Sequence, residues 1–462
     1  MGRRRRRLRQ GRPAAPPGRP GQPPPAHSRR RGRRTAVIEE ALDLASSKTD
    51  GAEVVFVQRR STSADYEDDK LKRVDVAQTS QLRVRVIVGG KIGTAHTTDT
   101  AQAKAVVARA IELAEFGSDA HFAFPGPSDR TDVKTYDPAV EQTPKEELVA
   151  AGGEMVDLVK AYNGEIKVFA GAGWAVEDWR LANSSGLDVA DRSSSFGIGV
   201  GGVLVRNTDM LFVYLNRDWR RRETEPRTLA DRAIQQFRLA ERTAPLTSKT
   251  MPVILSPRGS YVLLLSLLIG VNGKNVLKGD SPLAGRLGDK VAADCFTLVD
   301  DGTIDYAPAS GPWDGEGVPR RRTPIIERGI LRSFIYDLET AGKAGAHTTG
   351  NGPGCEASNV VIPPGDRSLE DMIRDTKEGL LVEHVLGLGQ SNIMNGDFSV
   401  NISLGYKIEN GEIVGRVKNA MLAGNVYDAL PRVAALGSEP EWAHSSYVPP
   451  ILIDGLSVIA KG

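Results

Sequence analysis

Four acidic residues in the second half of the sequence are the first candidates for chemistry: Asp300, Asp301, Asp314 and Glu316. Paired carboxylates can carry out acid–base catalysis or hold a hard cation. Asp300 and Asp301 precede Gly302, a combination that is typical of a turn. Asp314 and Glu316 alternate with glycines, which indicates a constrained loop. Both a structural and a catalytic role are open for them, and we favour the structural one.

Two glycine-rich segments have the composition of phosphate-binding loops. GIGVGG at 197–202 has the spacing of a dinucleotide fingerprint, with an acid, Asp218, about twenty residues on, but that fingerprint requires a helix directly after it. VLVRN follows instead and alternates like a strand, so we interpret the glycines as bulges or close backbone contacts. TTGNGPG at 348–354 lacks the Gly-Lys-Ser/Thr of a phosphate loop and indicates a structured turn or a loop that lines a cleft.

The histidines and cysteines argue against a zinc site within this chain. No two histidines lie within five positions of each other, whereas zinc hydrolases commonly take two histidine ligands from one helical face, as in H-E-x-x-H. The histidines are His27, His96, His121, His347, His384 and His444. Cys295 and Cys355 are far apart and have no histidine nearby, so we expect two buried thiols.

The composition indicates a globular body with a basic tail. Hydrophobic residues make up 40% of the 462, enough for large cores. Residues 1–34 hold 13 arginines and no acid, which leaves 47 basic groups against 58 acidic groups, a net charge of −11, in residues 35–462. This acidic body disfavours nucleic-acid binding. No apolar run is long enough to span a bilayer and no secretory h-region follows the arginines, so we expect a cytoplasmic protein without membrane attachment.

We divide the chain into a tail, three domains and one linker. Residues 1–34 are rich in Arg and Pro and predict a disordered tail. The other predicted boundaries are 35–117 for an N-terminal α+β domain, 118–143 for a linker, 144–245 for a central α+β domain and 246–462 for a β-rich C-terminal domain. The predicted fold class is therefore α+β, in which N-terminal and central helix/antiparallel-sheet domains precede a β-rich domain.

Two segments predict helices of different kinds. Thr35 is a suitable N-cap for an amphipathic helix with apolar residues at helical spacing. VLLLSLLIG at 262–270 is apolar on every side when wound as a helix. That pattern predicts a buried element rather than a face that presents ligands.

Strands and turns follow from alternation and from turn residues. QLRVRVIV at 81–88 alternates strictly and predicts a half-buried strand, which Gly89-Gly90 then turns into a hairpin. Arg328-Gly329 and Asn410-Gly411 predict further turns between strands.

Several separated segments resemble the TldD/PmbA family. In the C-terminal half they are 283–303 (LAGRLGDKVAADCFTLVDDGT), 313–337 (WDGEGVPRRRTPIIERGILRSFIYD), 348–352 (TTGNG), 378–413 (EGLLVEHVLGLGQSNIMNGDFSVNISLGYKIENGEI) and 419–426 (NAMLAGNV). GAEVVFVQ and QLRVRVIVGGKIGTAHTTD are similar to the family's first domain. The resemblance runs from about residue 36 to the end, and the segments occur in the family's order.

The resemblance implies a pair of related subunits. TldD-type chains carry an H-E-x-x-x-H helix and a late cysteine that bind zinc, whereas the PmbA type, also called TldE, lacks the metal helix. In this sequence Leu265 and Gly270 stand at the positions of the two histidines, and Ser266 stands at that of the glutamate. Leucine and glycine offer no ligand to zinc, and serine does not replace a carboxylate base. The C-terminal HSSYVPPILIDG also lacks the cysteine.

We therefore expect the metal-free subunit of a TldD/TldE-type zinc metallopeptidase complex, which cleaves unfolded or extended peptides and peptide precursors. The resemblance implies a dimer with a TldD-like catalytic partner that supplies the zinc, and no catalytic residue is assigned to this chain. Asp314, Glu316 and Asn351 are candidates for lining the substrate cavity. The alternatives are a peptide-binding homodimer without hydrolysis, and an independent hydrolase that uses the acids of 300–316 with an adventitious metal.

Overall fold

The computed structural model describes residues 26–223 and 225–460, and its N-terminal half is built on one antiparallel sheet. Its strands are β1 (Gly51–Glu67), β2 (Lys70–Val88), β3 (Lys91–Thr97), β4 (Lys167–Asn183), β5 (Asp188–Arg206) and β6 (Asp209–Trp219). Their order is β3-β2-β1-β4-β5-β6. Because β1 pairs with both β2 and β4, Glu53 lies opposite Arg85 on one side and Asn183 on the other. The two N-terminal regions of the sequence therefore share one sheet.

Helices cover one face of this sheet. They are α1 (Ala26–Ser46), α2 (Ala103–Ala114), α3 (Pro138–Glu141), α4 (Lys145–Tyr162) and α5 (Pro226–Leu239). The half formed by β1–β3 packs against α1 and α2, where Ile38, Val84 and Val107 are buried together. The half formed by β4–β6 packs against α4 and α5, with Met155 and Phe237 in its core. Apolar burial against these helices fixes which face of each strand points inward.

The sheet confirms the strand predicted at 81–88 and the hairpin at Gly89-Gly90, where β2 turns into β3. The prediction of Thr35 as an N-cap is wrong, because α1 begins at Ala26. The arginines before Thr35 have high helix propensity and extend the helix toward the N-terminus. Residues 1–25 of the predicted tail lie outside the described residues. The predicted domain boundaries stay predictions.

The C-terminal half contains two further sheets. Its strands are β7 (Lys249–Leu255), β8 (Leu298–Asp301), β9 (Arg322–Glu327), β10 (Ile330–Leu331), β11 (Val360–Val361), β12 (Glu378–Leu386), β13 (Asp397–Glu409), β14 (Glu412–Arg416), β15 (Ala420–Asn425), β16 (Val433–Leu436), β17 (Glu441–Ala443), β18 (Ser446–Val448) and β19 (Ile451–Ala460). One sheet has the order β12-β7-β19-β15-β13-β14, with β16 also paired to β19. The other has the order β10-β9-β8-β11-β18-β17. Strands outnumber helices in this part of the described chain, which confirms the β-rich C-terminal region of an α+β fold.

Short helices connect these strands. They are α6 (Tyr261–Val271), α7 (Gly273–Lys278), α8 (Leu338–Ala344), α9 (Leu369–Arg374) and α10 (Val426–Ala429). Val262, Leu267 and Val271 of α6 are fully buried, in the same core as Val253 of β7 and Ile453 of β19. Helix α6 is therefore anchored to the centre of the larger C-terminal sheet.

The predicted turns have mixed outcomes. Arg328-Gly329 joins β9 to β10, and Asn410-Gly411 joins β13 to β14, so both predictions are confirmed. Asn410 and Gly411 have φ of 49° and 84°, the left-handed conformation that a two-residue hairpin loop requires. The turn predicted at Asp300-Asp301-Gly302 is confirmed in part: both aspartates lie in β8, and the turn begins at Gly302, where the Asp301 carboxylate accepts from the backbone N–H of Thr303 at 2.9 Å.

Candidate functional site

Helix α6 forms one wall of a cavity of about 760 Å³. Its leucine-rich sequence favours a helix, and one of its faces, which includes Val262 and Leu267, is fully buried. The other face places Tyr261, Leu265 and Leu268 along the cavity, and Tyr261 is 53% exposed. The prediction that the helix is buried on every side is therefore wrong for this face. Sequence pattern alone does not distinguish a core contact from a cavity wall, since both are apolar.

Polar side chains from other elements complete one part of the cavity. Arg258 comes from the loop before α6, His384 from β12, and His444 from the turn between β17 and β18. A guanidinium N–H group of Arg258 donates to the backbone and side-chain oxygens of Asn216, at 2.6 and 2.9 Å. Within the described chain, Nε2 of His384 is buried and has no hydrogen-bond partner. Burial, together with Arg258 and His444, lowers the pKa of His384 to about 4, so this ring is neutral at pH 7.

The three positions at which the resemblance implied missing zinc ligands fall on different sides of α6. Leu265 lies on the cavity side, whereas Ser266 and Gly270 are buried. The phenol of Tyr427 fills the space beside Gly270, and a Cβ atom at Gly270 would lie 2.1 Å from its oxygen. That phenol also donates to the backbone oxygen of Ser266 at 3.2 Å. Position 270 therefore has no room for a histidine side chain.

The residues present do not fit a zinc ion at this helix. None of the three positions carries an imidazole, thiolate or carboxylate. Across residues 26–223 and 225–460, no group of three or more His, Cys, Asp or Glu side chains is arranged to hold a metal ion. No chemical step through a metal is therefore assigned to this chain.

Asp314 and Asn351 lie in a buried hydrogen-bond network beside the TTGNG loop. The Asp314 carboxylate accepts from the backbone N–H groups of Glu316 and Val318, both at 2.9 Å, and from that of Gly352 at 2.7 Å. Burial raises the pKa of Asp314 to about 6, against the effect of these hydrogen bonds. Asn351 donates to the Asp300 carboxylate at 2.7 Å. These contacts hold two loops together, which favours the structural interpretation of the acidic residues.

Glu316 belongs to an ion-pair network between the first sheet and the C-terminal half. Its carboxylate lies 2.6 Å from the Arg85 guanidinium, which also contacts Glu53 at 3.1 Å. Glu53 and Glu316 are almost completely buried, and Arg85 stacks on the rings of Phe122 and Phe124. Burial lowers the pKa of Arg85, but the two carboxylates raise it by more, so the guanidinium stays charged.

The sequence did not reveal the partners in this network. In the alternating strand at 81–88, Arg83 and Arg85 occupied the positions expected to face solvent, but that face contacts the loop around Gly315, whose carbonyl accepts from Arg83 at 2.9 Å.

In the described chain, the residues that line the cavity on α6 do not include Asp314, Glu316 or Asn351. Their assignment as substrate-cavity residues stays a prediction.

A second recess, of about 600 Å³, crosses the face of the first sheet that is turned away from α4 and α5. Its floor includes Gly171 and Gly173 of β4, which pair with Gly199 and Gly197 of β5. We call this recess the glycine groove. The GIGVGG motif at 197–202 lies wholly within β5 and no helix follows it directly, which confirms the strand interpretation.

The glycine groove and the cavity on α6 are neighbours. Tyr214 and Asn216 of β6 line the groove, and Asn216 is the residue that accepts hydrogen bonds from Arg258 of the cavity. Phe169 and Tyr214 stand beside each other over the groove, with ring centres 5.8 Å apart. The β6 end of the groove is therefore adjacent to the Arg258 end of the cavity.

The two cysteines differ in their surroundings. Cys355 lines the cavity, is buried, and contacts the hydroxyl of Thr340 at 3.0 Å. Burial raises the pKa of the Cys355 thiol to about 11, which keeps it protonated and poorly nucleophilic. The expected burial is thus confirmed for Cys355 but is wrong for Cys295, which is exposed.

Comparisons with known proteins agree with the geometry. Residues 248–460 match the PmbA/TldA metallopeptidase C-terminal domain, and residues 52–114 match the PmbA/TldA metallopeptidase domain 1. A metalloprotease of Methanothermobacter thermautotrophicus is 28% identical over 400 residues, which cover 82% of this chain and 86% of that protein. The metalloprotease PmbA of Escherichia coli O157:H7 is 28% identical over 435 residues, which cover 87% of this chain and 91% of that protein.

The fold also matches solved structures. TldE of Thermococcus kodakarensis superposes with a TM-score of 0.84 over 92% of this chain and 100% of that chain, at 24% identity. At this level of identity the match establishes the fold.

Each helix in the described ranges is too short or too polar to cross a bilayer.

Proposed function

This chain belongs to the PmbA/TldD metallopeptidase family, and we propose that it is the metal-free, TldE/PmbA-like subunit of a zinc metallopeptidase complex. In this proposal a TldD-like partner holds the zinc and carries out hydrolysis, and this chain supplies walls of the substrate cavity. The substrates are unfolded or extended peptides and peptide precursors. A cytoplasmic location stays a prediction from the sequence.

The observation that carries the proposal is the contact between Gly270 and Tyr427. At the position where the resemblance implies the second histidine, the Tyr427 phenol takes the place of a side chain. Leu265, at the position of the first histidine, lines the cavity as an apolar residue. A cavity of ligand-binding size thus persists beside a helix that lacks the metal ligands.

The glycine groove supports an extended substrate. Glycines at 171, 173, 197 and 199 leave the backbone of β4 and β5 open along this face. Strand β6 ends the sheet and, among the described strands, pairs with β5 alone. Apart from the Asn216 carbonyl, which already accepts from Arg258, its edge can accept an extended peptide through main-chain hydrogen bonds, which is a mode of recognition that tolerates many sequences.

The test is to measure zinc by elemental analysis in the chain purified alone and after co-expression with a TldD-like chain. We expect only trace zinc in the chain alone, and about one zinc ion per heterodimer together with peptidase activity in the pair. Stoichiometric zinc in the isolated chain would overturn the proposal. So would self-association with peptide binding but no retention of the TldD-like chain, which is the result expected of a non-hydrolytic homodimer.

A pair of variants tests the groove within the active complex. Gly199→Leu would project a side chain into the groove and should slow peptide hydrolysis by about tenfold, if exclusion of the peptide costs about 1.4 kcal/mol. Gly164→Leu is the matched control, because Gly164 lies exposed in a turn and a Cβ atom added there would have no atom within 4 Å. Equal rates for the two variants would contradict the role of the groove.

A further inference from the structure

The polar part of the α6 cavity combines a desolvated guanidinium with two imidazoles. Arg258 is partly buried, and within the described residues its hydrogen-bond acceptors are the two neutral oxygens of Asn216. In the described chain no carboxylate oxygen lies within 4 Å of its guanidinium nitrogens, unlike Arg85, which has two carboxylate partners. His384 and His444 line the same cavity. A partly desolvated cation without a direct ion-pair partner is costly unless a ligand supplies one.

The nearby carboxylates do not neutralise this site. Glu441 is held by Arg232 at 2.6 Å. Burial raises the pKa of Glu383, against the effect of a hydrogen bond from Ser256 and of the charges of Arg232 and Arg258, and in the described chain its carboxylate makes no ion pair with Arg258 within 4 Å. Glu356 also lines the cavity, but the carboxylates whose charges favour the protonated form of Arg258, against the effect of burial on its pKa, are Glu383 and Glu441, and both lie beyond ion-pair distance from its guanidinium.

The rest of the cavity is suited to an apolar group. Leu264, Leu265, Leu268 and Ile269 present hydrocarbon along α6, and Val385 adds to it from β12. The N-terminus of α6 begins three residues after Arg258, so the positive end of the helix dipole lies on the same side as the guanidinium. The cavity therefore has a positive end and an apolar wall.

We propose that this cavity binds the C-terminal carboxylate of a peptide, with the guanidinium of Arg258 as its charge partner and the apolar side chain of the last residue against Leu265 and Leu268. A free Nε2 on His384 supplies a second polar contact within the same cavity. The inference deepens the proposed function, on which it rests for the nature of the ligand as a peptide. It assigns to this chain the recognition of a chain end, separate from bond cleavage in the partner.

The experiment is calorimetric titration of the isolated full chain at pH 7.5 with three peptides. The first is acetyl-Ala-Ala-Leu with a free carboxylate, the second is its C-terminal amide, and the third is acetyl-Ala-Glu-Ala amide, whose only carboxylate is in a side chain. We expect the first to bind at least about tenfold more tightly than the others, as a charge-assisted hydrogen bond predicts. Equal affinity for the acid and its amide, or preference for the glutamate peptide, would overturn the inference.

Variants locate the site. Arg258→Gln should reduce the affinity for the free acid to that for the amide, whereas Arg109→Gln, an exposed arginine on α2, should leave it unchanged. Leu268→Glu puts a carboxylate into the cavity and keeps the contact between Arg258 and Asn216. This variant should also bind the acid peptide more weakly. If Arg258→Gln does not fold, the test is NMR titration of the imidazole of His384 in the wild-type chain. Binding of the acid peptide should raise the pKa of His384 above about 4, and the amide peptide should leave it unchanged. An unmoved His384 resonance would overturn the assignment.

This result is independent of the zinc measurement. Carboxylate binding is read on the chain alone, whereas the proposed function is read on the pair. Loss of selectivity for the acid with an active, zinc-loaded pair would remove only the inference. An inactive pair with selective acid binding by the chain would remove only the proposed function.

Discussion

The hydroxyl of Tyr427 occupies the position that a side chain at Gly270 would need, since a Cβ atom there would lie 2.1 Å from the phenol oxygen. The same hydroxyl donates to the backbone of α6 at Ser266. At the position where the resemblance implies a metal-binding histidine, a neighbouring side chain thus fills the volume. Introduction of a histidine at position 270 alone therefore meets a steric obstacle.

Gly270→Ala should destabilise the protein by roughly 1–3 kcal/mol, because the added methyl group overpacks a filled site. Tyr427→Phe alone should cost about 1 kcal/mol through the lost hydrogen bond to Ser266. The double variant should be more stable than the sum of the two changes, since removal of the hydroxyl relieves the clash. Urea unfolding of the four proteins gives the coupling, and strict additivity would contradict the steric explanation.

Arg85→Met should lower stability by roughly 3–5 kcal/mol, because it leaves two buried carboxylates, Glu53 and Glu316, without their shared cation. The control is Arg73→Met, which removes an arginine whose side chain is 65% exposed beside Asp65. That surface pair should contribute little. Thermal unfolding by calorimetry compares the variants, and similar midpoints for both would show that the buried network is not a major determinant of stability.

Asp314 should make the protein more stable as the pH falls from about 6 to about 4. Its pKa is about 6 in the folded state and about 3.9 in an unfolded chain, so the folded state binds the proton more tightly in this window. Below about pH 4 this proton contributes roughly 2–3 kcal/mol to the free energy of unfolding, and above the folded pKa of about 6 it contributes nothing. Relative to Asp314→Asn, the melting temperature of the wild-type protein should therefore rise as the pH is lowered from about 6 to about 4. Parallel curves for the two proteins would exclude the shift.

His384 gives the opposite sign and serves as a comparison. Its folded pKa of about 4 lies below the ordinary value of about 6.5, so the unfolded state binds the proton more tightly between these values. Its contribution is complete above about pH 6.5 and is lost as the pH falls to about 4. Relative to His384→Gln, the wild-type melting temperature should therefore fall over this range. A rise would contradict burial of the neutral ring.

Two glycines of the GIGVGG motif should differ in their tolerance of alanine. At Gly201 a Cβ atom would lie 2.4 Å from the backbone oxygen of Val213, so Gly201→Ala should cost roughly 1–3 kcal/mol. At Gly199 the closest atom is the hydroxyl of Tyr214 at 3.0 Å, the mobile end of a side chain. Gly199→Ala should therefore be close to neutral. Equal losses of stability in chemical denaturation would show that the close backbone contact at Gly201 does not restrict its side chain.

The sequence pattern predicted those strands and turns whose conformation depends on neighbouring residues in the chain. The strand at 81–88 follows from alternation, and the hairpin at Asn410-Gly411 follows from residues that tolerate positive φ. The contact of Arg85 with Glu316 was not predictable in this way, because the two are 231 residues apart. Periodicity shows that a residue lies on the outer face of a strand, but not what later covers that face.

The candidate site shows the same division. The apolar character of α6 was evident from its sequence, but the cavity along it depends on β12 and on the turn after β17. His384 and His444 escaped a search for histidines at short spacing, because separate strands bring them to one cavity. A spacing rule detects ligands on one helix and not residues that tertiary structure assembles.

Strand β19 has a consequence for biosynthesis. It lies between β7 and β15 in the middle of the larger C-terminal sheet, although it is the last of the described strands in the sequence. At ~5–20 residues per second, the ribosome needs roughly 10–40 s to proceed from Leu255 to its partner Ile451. During that interval the edge of β7 that pairs with β19 lacks its partner, and a nascent chain that stalls before residue 451 cannot close this sheet. Late arrest of translation should therefore yield an aggregation-prone product, a natural client for chaperones and proteases.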